Sequence, residues 1–267
     1  MDGAGPVYFL LHVPKTGGQT VQVHLQEHLG EAALWMPGPS PAWRRALGLT
    51  DPQRPEHLEA VRAVAGHHLR RSHEQAFAGR QIRRAVLLRE PLSFHLSLYN
   101  FRMMNRLRLG RAPVSFEDYL RSTPLDAMAH FILHHWLEIP WPVLMLRSAA
   151  WKYERLNAAF KDFWFVGDVG LCDVLVARLA HDFAIARSAR RRNTEQAWLG
   201  RVSWSPLRAE DLSDASAAYI LGANPIDRAL WESWKDAGRA VAAVRPAPLP
   251  AREGPSFLMH ELGRIGR

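Results

Sequence analysis

Short apolar runs that stop at turn residues, each followed by a stretch with helical spacing, organise this chain. Val7–Leu11 is a nearly continuous run of β-formers, as suits a strand buried on both faces. Pro14 ends it, and from Gln19 onward Val21, Val23, Leu25 and Leu29 supply packing positions for a helix. Residues 63–65 predict a short second strand. Ile82–Leu88 predicts a third, and residues 92–106 a helix after it, with Pro91 suited to the first helical turn. Further helices are expected over 125–138 and 171–183, and two more within 209–240, broken near Asn224 and Pro225. Strand and helix in alternation predict an α/β fold with a central, mostly parallel sheet, helices on both faces and ligands at the strand C-termini.

The chemistry concentrates where two of these strands end. After the first comes Pro14-Lys15-Thr16-Gly17-Gly18-Gln19-Thr20. Adjacent glycines allow positive φ and close approach of an anion to the main chain. A strand, a glycine turn and a helix aim amides and the helix dipole at a phosphate or sulfate. Lys15 adds a point charge, and Thr16 and Thr20 add hydroxyls. The loop is not a Walker A sequence, because its lysine precedes the glycines. Gly3 and Gly5 lie ahead of the strand and form no dinucleotide fingerprint. After the later strand comes Arg89-Glu90-Pro91, with Ser97 and Tyr99 downstream. Arg89 can clamp a phosphate through its planar fork, and Ser97, two turns into the helix, can donate a hydroxyl to the same anion.

Pro14-Lys15-Thr16-Gly17-Gly18 resembles the 5′-phosphosulfate loop of the carbohydrate sulfotransferases, especially the group that includes heparan sulfate 2-O-sulfotransferase and its bacterial relatives. Arg89-Glu90-Pro91 with Ser97 and Tyr99 resembles that family's 3′-phosphate motif, with Glu90 where Asp is usual. Ala65-Gly66-His67 is similar to its Gly-His segment, and Phe163-Trp164-Phe165-Val166-Gly167 to its late strand. Gln19 stands where the family often carries Thr or Ser, and nothing carries over to Asp168. The resemblance covers residues 7–220 and implies a P-loop-like three-layer fold. It further implies transfer of a sulfuryl group from 3′-phosphoadenosine-5′-phosphosulfate (PAPS) to a hydroxyl, expected on a glycan or glycoconjugate, without a metal. Lys15 would then act on the leaving oxygen. Pro14, Thr16, Gly17, Gly18, Gln19 and Thr20 would hold the 5′ end, and Arg89 and Ser97 the 3′-phosphate. A histidine suits proton removal from the acceptor near neutral pH. The family pattern points to His67, and neighbouring His68 is the alternative. The competing expectations are an ATP-dependent small-molecule kinase and a non-catalytic polyanion binder.

Other groupings carry less. His130 and His134 are i and i+4 on the 125–138 helix, but Phe131 stands where a zinc-protease helix needs Glu, which favours a structural or acceptor-facing role. Arg187, Arg190, Arg191 and Arg192 form a basic run that reads as a solvated face or, by the resemblance, as a cover for the cofactor. Ten tryptophans, among them Trp35, Trp43, Trp136, Trp141 and Trp151, divide between core and rim.

With 267 residues, 48% of them hydrophobic, one domain over 1–245 is expected, with a Pro/Arg-rich tail over 246–267 and a proline-rich loop over 37–55. Cys172 is the only cysteine, so no intrachain disulfide can form. The N-terminal sequence lacks the basic region and apolar run of a signal peptide, and no stretch reaches the ~20 apolar residues of a membrane span. A cytoplasmic, bacterial setting is expected. A net charge of +8 favours anionic partners such as the cofactor or an acidic glycan. No nucleic-acid partner is expected.

Overall fold

A computed structural model describes residues 5–38, 57–187, 205–236, 238 and 246–253. Most of the proline-rich loop, the arginine run from 190, Trp43 and the end of the tail lie outside these residues. The described chain forms an α/β fold around a five-stranded, all-parallel sheet: β1 (Val7–Leu11), β2 (Leu34–Trp35), β3 (Ala63–Gly66), β4 (Ile82–Leu88) and β5 (Phe165–Asp168). The spatial order is β2-β3-β1-β4-β5. The chain first builds outward from β1 on one side, to β2 and β3. It then returns to add β4 and β5 on the other. Leu11 pairs in register with Gly66 on β3 and with Val86 on β4, so the C-terminal ends of three strands stand side by side.

Period-two alternation of side chains splits the core into two layers. Val7, Phe9, Leu11, Val64, Val86, Leu88 and Val166 face one side. They pack on α4 (Ala127–Phe131), the π-helical turn Ile132–Trp136, α6 (Ala149–Phe160) and α9 (Pro225–Trp234). Tyr8, Leu10, Ala63, Ala65, Ala85, Leu87 and Phe165 face the other side, against α1 (Gly18–Ala33) and α7 (Cys172–Phe183). Helices thus cover both faces, giving three layers. Both faces of β1 and of residues 85–88 of β4 are buried, which is why these stretches read as continuous apolar runs, whereas Arg83 and Arg84 interrupt the partly exposed start of β4. Trp136 sits between Phe9 and Phe163 and is fully buried, one tryptophan assigned to the core.

The remaining helices are α2 (Pro91–Arg108), α3 (Phe116–Ser122), α5 (Trp141–Leu146) and α8 (Asp214–Ala223). The helix expected over 125–138 is shorter and changes pitch: α4 passes into the π turn. The break expected at Asn224 and Pro225 separates α8 from α9. Among the described residues no helix is long and apolar enough to cross a membrane.

The tail segment 246–253 is fastened to the domain. Ala247 donates its amide to Ser233 Oγ at 2.7 Å, and Glu253 donates to the Gly222 carbonyl at 2.9 Å. Arg252 reaches Asp126 and the Ala223 carbonyl. Asp126 has no exposed surface, and burial raises its pKa while Arg252 opposes the rise. Its Oδ1 also accepts the amides of Ile226 and Asp227 at the start of α9. Removing the cation would strand a buried carboxylate, which costs about 3–5 kcal/mol in such pairs. Arg252→Ala is therefore expected to lower stability by about 3 kcal/mol in urea denaturation. Adding Asp126→Asn in that background is expected to recover part of the loss, because the charge itself is then gone.

Candidate functional site

The strand order reverses at β1: its successors build to one side, and β4 joins on the other. In open α/β sheets, ligands bind in the crevice outside the strand ends at such a reversal. A cleft of about 310 Å³ lies there. It is lined by Pro14, Lys15, Gly17, Gln19 and Thr20 from the turn after β1, and by Arg89 and Ser97 from β4 and α2. His67 lines it from the segment after β3. Segments more than seventy residues apart in sequence are thus joined by strand pairing.

The turn between β1 and α1 is built for close approach. Gly17 caps α1 with φ of 87°, a left-handed conformation that glycine adopts without strain. Lys15 also has positive φ, 65°, which is uncommon for a residue with a Cβ and marks a conformation held by its surroundings. Arg89 supplies part of that hold by donating from Nη1 to the Lys15 carbonyl at 3.1 Å, while its Nε donates to Ser93 Oγ at 2.8 Å. The guanidinium is thereby oriented at the cleft and ties the two loops together. Lys15 Nζ stands 4.3 Å from the centre of the Phe101 ring. Phe101 lies one helical turn beyond Ser97 on α2 and also lines the cleft.

Two loop residues serve the architecture. Thr16 is fully buried, and its hydroxyl donates to the Val13 carbonyl at 2.9 Å, closing the turn instead of facing the cleft. Gly18 lies outside the cleft lining; a Cβ there would come within 2.2 Å of the His12 ring. Its glycine is required by the packing of an imidazole. Tyr99 is likewise buried and donates to the Val114 carbonyl at 2.9 Å. Glu90 caps α2 by accepting the amides of Leu92 and Ser93 at 3.0 and 2.6 Å, a role its carboxylate shares with Asp.

His67 donates Nδ1–H to the His12 carbonyl at 2.7 Å. A carbonyl only accepts, so this bond fixes the neutral tautomer with Nε2 as the basic nitrogen. His67 stays exposed in the cleft, yet partial desolvation of its ring lowers its pKa, opposed by the same hydrogen bond, and so favours the neutral form. His68 is half-buried and does not line the cleft; burial, His67 and Arg70 lower its pKa. His130 and His134 form no metal pair. The first bonds the Leu125 carbonyl at 2.8 Å and Lys152 Nζ at 3.0 Å, and the second bonds the Ile139 carbonyl at 3.0 Å. No cluster of three or more metal-ligating side chains occurs among the described residues.

Sequence reasoning passed over His12, Phe101, Val169, Cys172 and Asp173, all of which line the cleft. His12 could have been found as the first residue after β1. The last three follow β5 and open α7, the next strand end along the sheet. A wider groove of about 570 Å³ runs along α7 and shares Asp173 with the cleft. Two of its arginines are engaged: Arg83 pairs with Asp182 at 2.8 Å, and Arg178 lies over Trp164 and Phe165. Comparison with protein-family models, curated proteins and solved structures finds no match for this chain.

Burial, then His67 and Lys15, hold the His12 pKa down at about 3, against the bond that His12 Nδ1–H donates to Gln22, which raises it. Unfolding restores an ordinary value near 6.5. The stability this neutral imidazole contributes is complete above pH 6.5 and is lost as the pH falls toward 3, because the unfolded chain takes up the proton first. At pH 5 the loss amounts to about 2 kcal/mol. Urea denaturation of His12→Phe is expected to show a flatter profile than wild type between pH 6.5 and 5.

Proposed function

We propose that the protein is a PAPS-dependent sulfotransferase with a P-loop-like nucleotide site, acting on a hydroxyl of a carbohydrate. The observation that carries this reading is the meeting of Lys15, Arg89, Ser97 and His67 around one cleft at the strand reversal. The donor set suits a nucleotide with more than one anionic group. At one end are Lys15 and the opening turn of α1, where amides lack partners within the helix. At the other are the guanidinium of Arg89 and the hydroxyl of Ser97, approached from α2. The resemblance of both motifs to the sulfotransferases supports the same assignment.

Bound PAPS supplies the sulfuryl group and a stable leaving phosphate. Lys15 neutralises charge on the oxygen that leaves sulfur, and the loop amides hold the 5′ end. Arg89 and Ser97 fix the 3′-phosphate and thereby the line of attack. His67 Nε2 takes the proton from the acceptor hydroxyl as its oxygen bonds to sulfur. The proton stays on the imidazole until the product departs.

Calorimetric titration with 3′-phosphoadenosine-5′-phosphate, beside AMP and ATP, tests the reading. Binding of the 3′-phosphorylated nucleotide is expected to be the tightest of the three. Arg89→Ala is expected to weaken it by about 10²-fold, the order carried by a bidentate charge-assisted contact. Equal affinity for all three nucleotides, or binding indifferent to Arg89, would remove the sulfotransferase assignment in favour of a kinase or a polyanion binder.

A further inference from the structure

The His12 side chain is 7% exposed and tied at three points. Its Nδ1–H donates to Gln22 Oε1 on the inner face of α1. One edge of its ring rests on Gly18, where any larger residue would collide with it. Its ring lies against that of His67, with centroids 3.8 Å apart and planes inclined by 28°. The backbone carbonyl of the same residue accepts His67 Nδ1–H. One residue therefore contacts the candidate base through both its main chain and its side chain. A helix fixes that residue in turn.

We propose that His12, anchored by Gln22, is a positioning residue for the base His67. Its ring fixes the plane in which His67 Nε2 is presented and keeps water off one face of that imidazole. This role rests on the reading of His67 as the proton acceptor. Charged and titratable groups surround the pair on several elements. Lys15 comes from the turn after β1, His68 and Arg70 from the loop after β3, and His134 and His135 from the π-helical turn. Among the described residues none of these is stacked on His67, and Phe131 meets its edge at 6.4 Å between centroids. The geometry is distinct from a histidine–carboxylate arrangement. A neutral amide anchors a neutral ring, so the assembly holds the base in place without adding a negative charge that would oppose the anionic donor.

The test is a nitrogen-15 histidine NMR pH titration of wild type, His12→Ala and His12→Phe, with the His67 signal assigned by its loss in His67→Asn. Wild-type His67 is expected to titrate below 6.5 as a single tautomer protonated on Nδ1. In His12→Ala the opened face admits water. Its midpoint is expected to move up toward 6.5, while the tautomer stays protonated on Nδ1, because alanine keeps the backbone carbonyl that sets it. In His12→Phe, which loses the bond to Gln22 but keeps a ring against His67, most of the wild-type titration is expected to persist. An unmoved His67 titration in folded His12→Ala would overturn the proposal. So would a shift in folded His12→Phe as large as that in His12→Ala. The titration is read without nucleotide. A failed 3′-phosphate preference in the wild type would therefore strike the sulfotransferase reading alone, and an unmoved His67 the positioning role alone.

Discussion

Parallel pairing of β1 with both β3 and β4 is the constraint on which the rest of the site depends. Each pairing carries a fixed register: β1 and β3 end level at Leu11 and Gly66, β4 runs two residues further to Leu88, and the three following segments leave the same end of the sheet. The turn after β1 brings a cation and an opening helix. The segment after β3 brings an imidazole, and β4 brings a guanidinium already bonded back to the first turn. Loops alone could not hold these groups at hydrogen-bonding distance. The apolar layers on either side of the sheet keep the strand ends from shearing, and the polar chemistry inherits that rigidity.

Much of this was legible in the chain. Val7–Leu11 and Ile82–Leu88 are strands with the bounds their apolar runs suggested. The helices that start at Pro91 and Pro225 could be placed because proline is tolerated at a first turn and rarely later. Eight of the candidate site residues line one cleft. Other features were hidden for physical reasons. Thr16 and Gly18 belong to a motif whose residue types suit anion contact, yet their neighbours in space recruit them for packing. The π turn at Ile132–Trp136 depends on hydrogen-bond pitch, which side-chain periodicity does not encode. Cleft residues contributed by β5 and α7 follow from strand order, and no local pattern specifies that order.

Lys15 and Arg89 show how strain and function share one contact. The left-handed conformation at Lys15 turns its carbonyl toward Arg89 and its side chain into the cleft. Arg89 thus braces the loop before any ligand arrives. A nucleotide that engages the guanidinium finds it already oriented, and little ordering entropy is left to lose.

The contact between Gly18 and His12 has a consequence beyond one molecule. Position 18 is helical, where alanine is ordinarily the better residue. The nearest atoms that a Cβ there would meet all belong to the imidazole at position 12. The two positions form a lock that opens from the side of residue 12. Among descendants of this chain, a side chain at position 18 becomes accessible only after residue 12 has shrunk, and the order of those two substitutions is fixed.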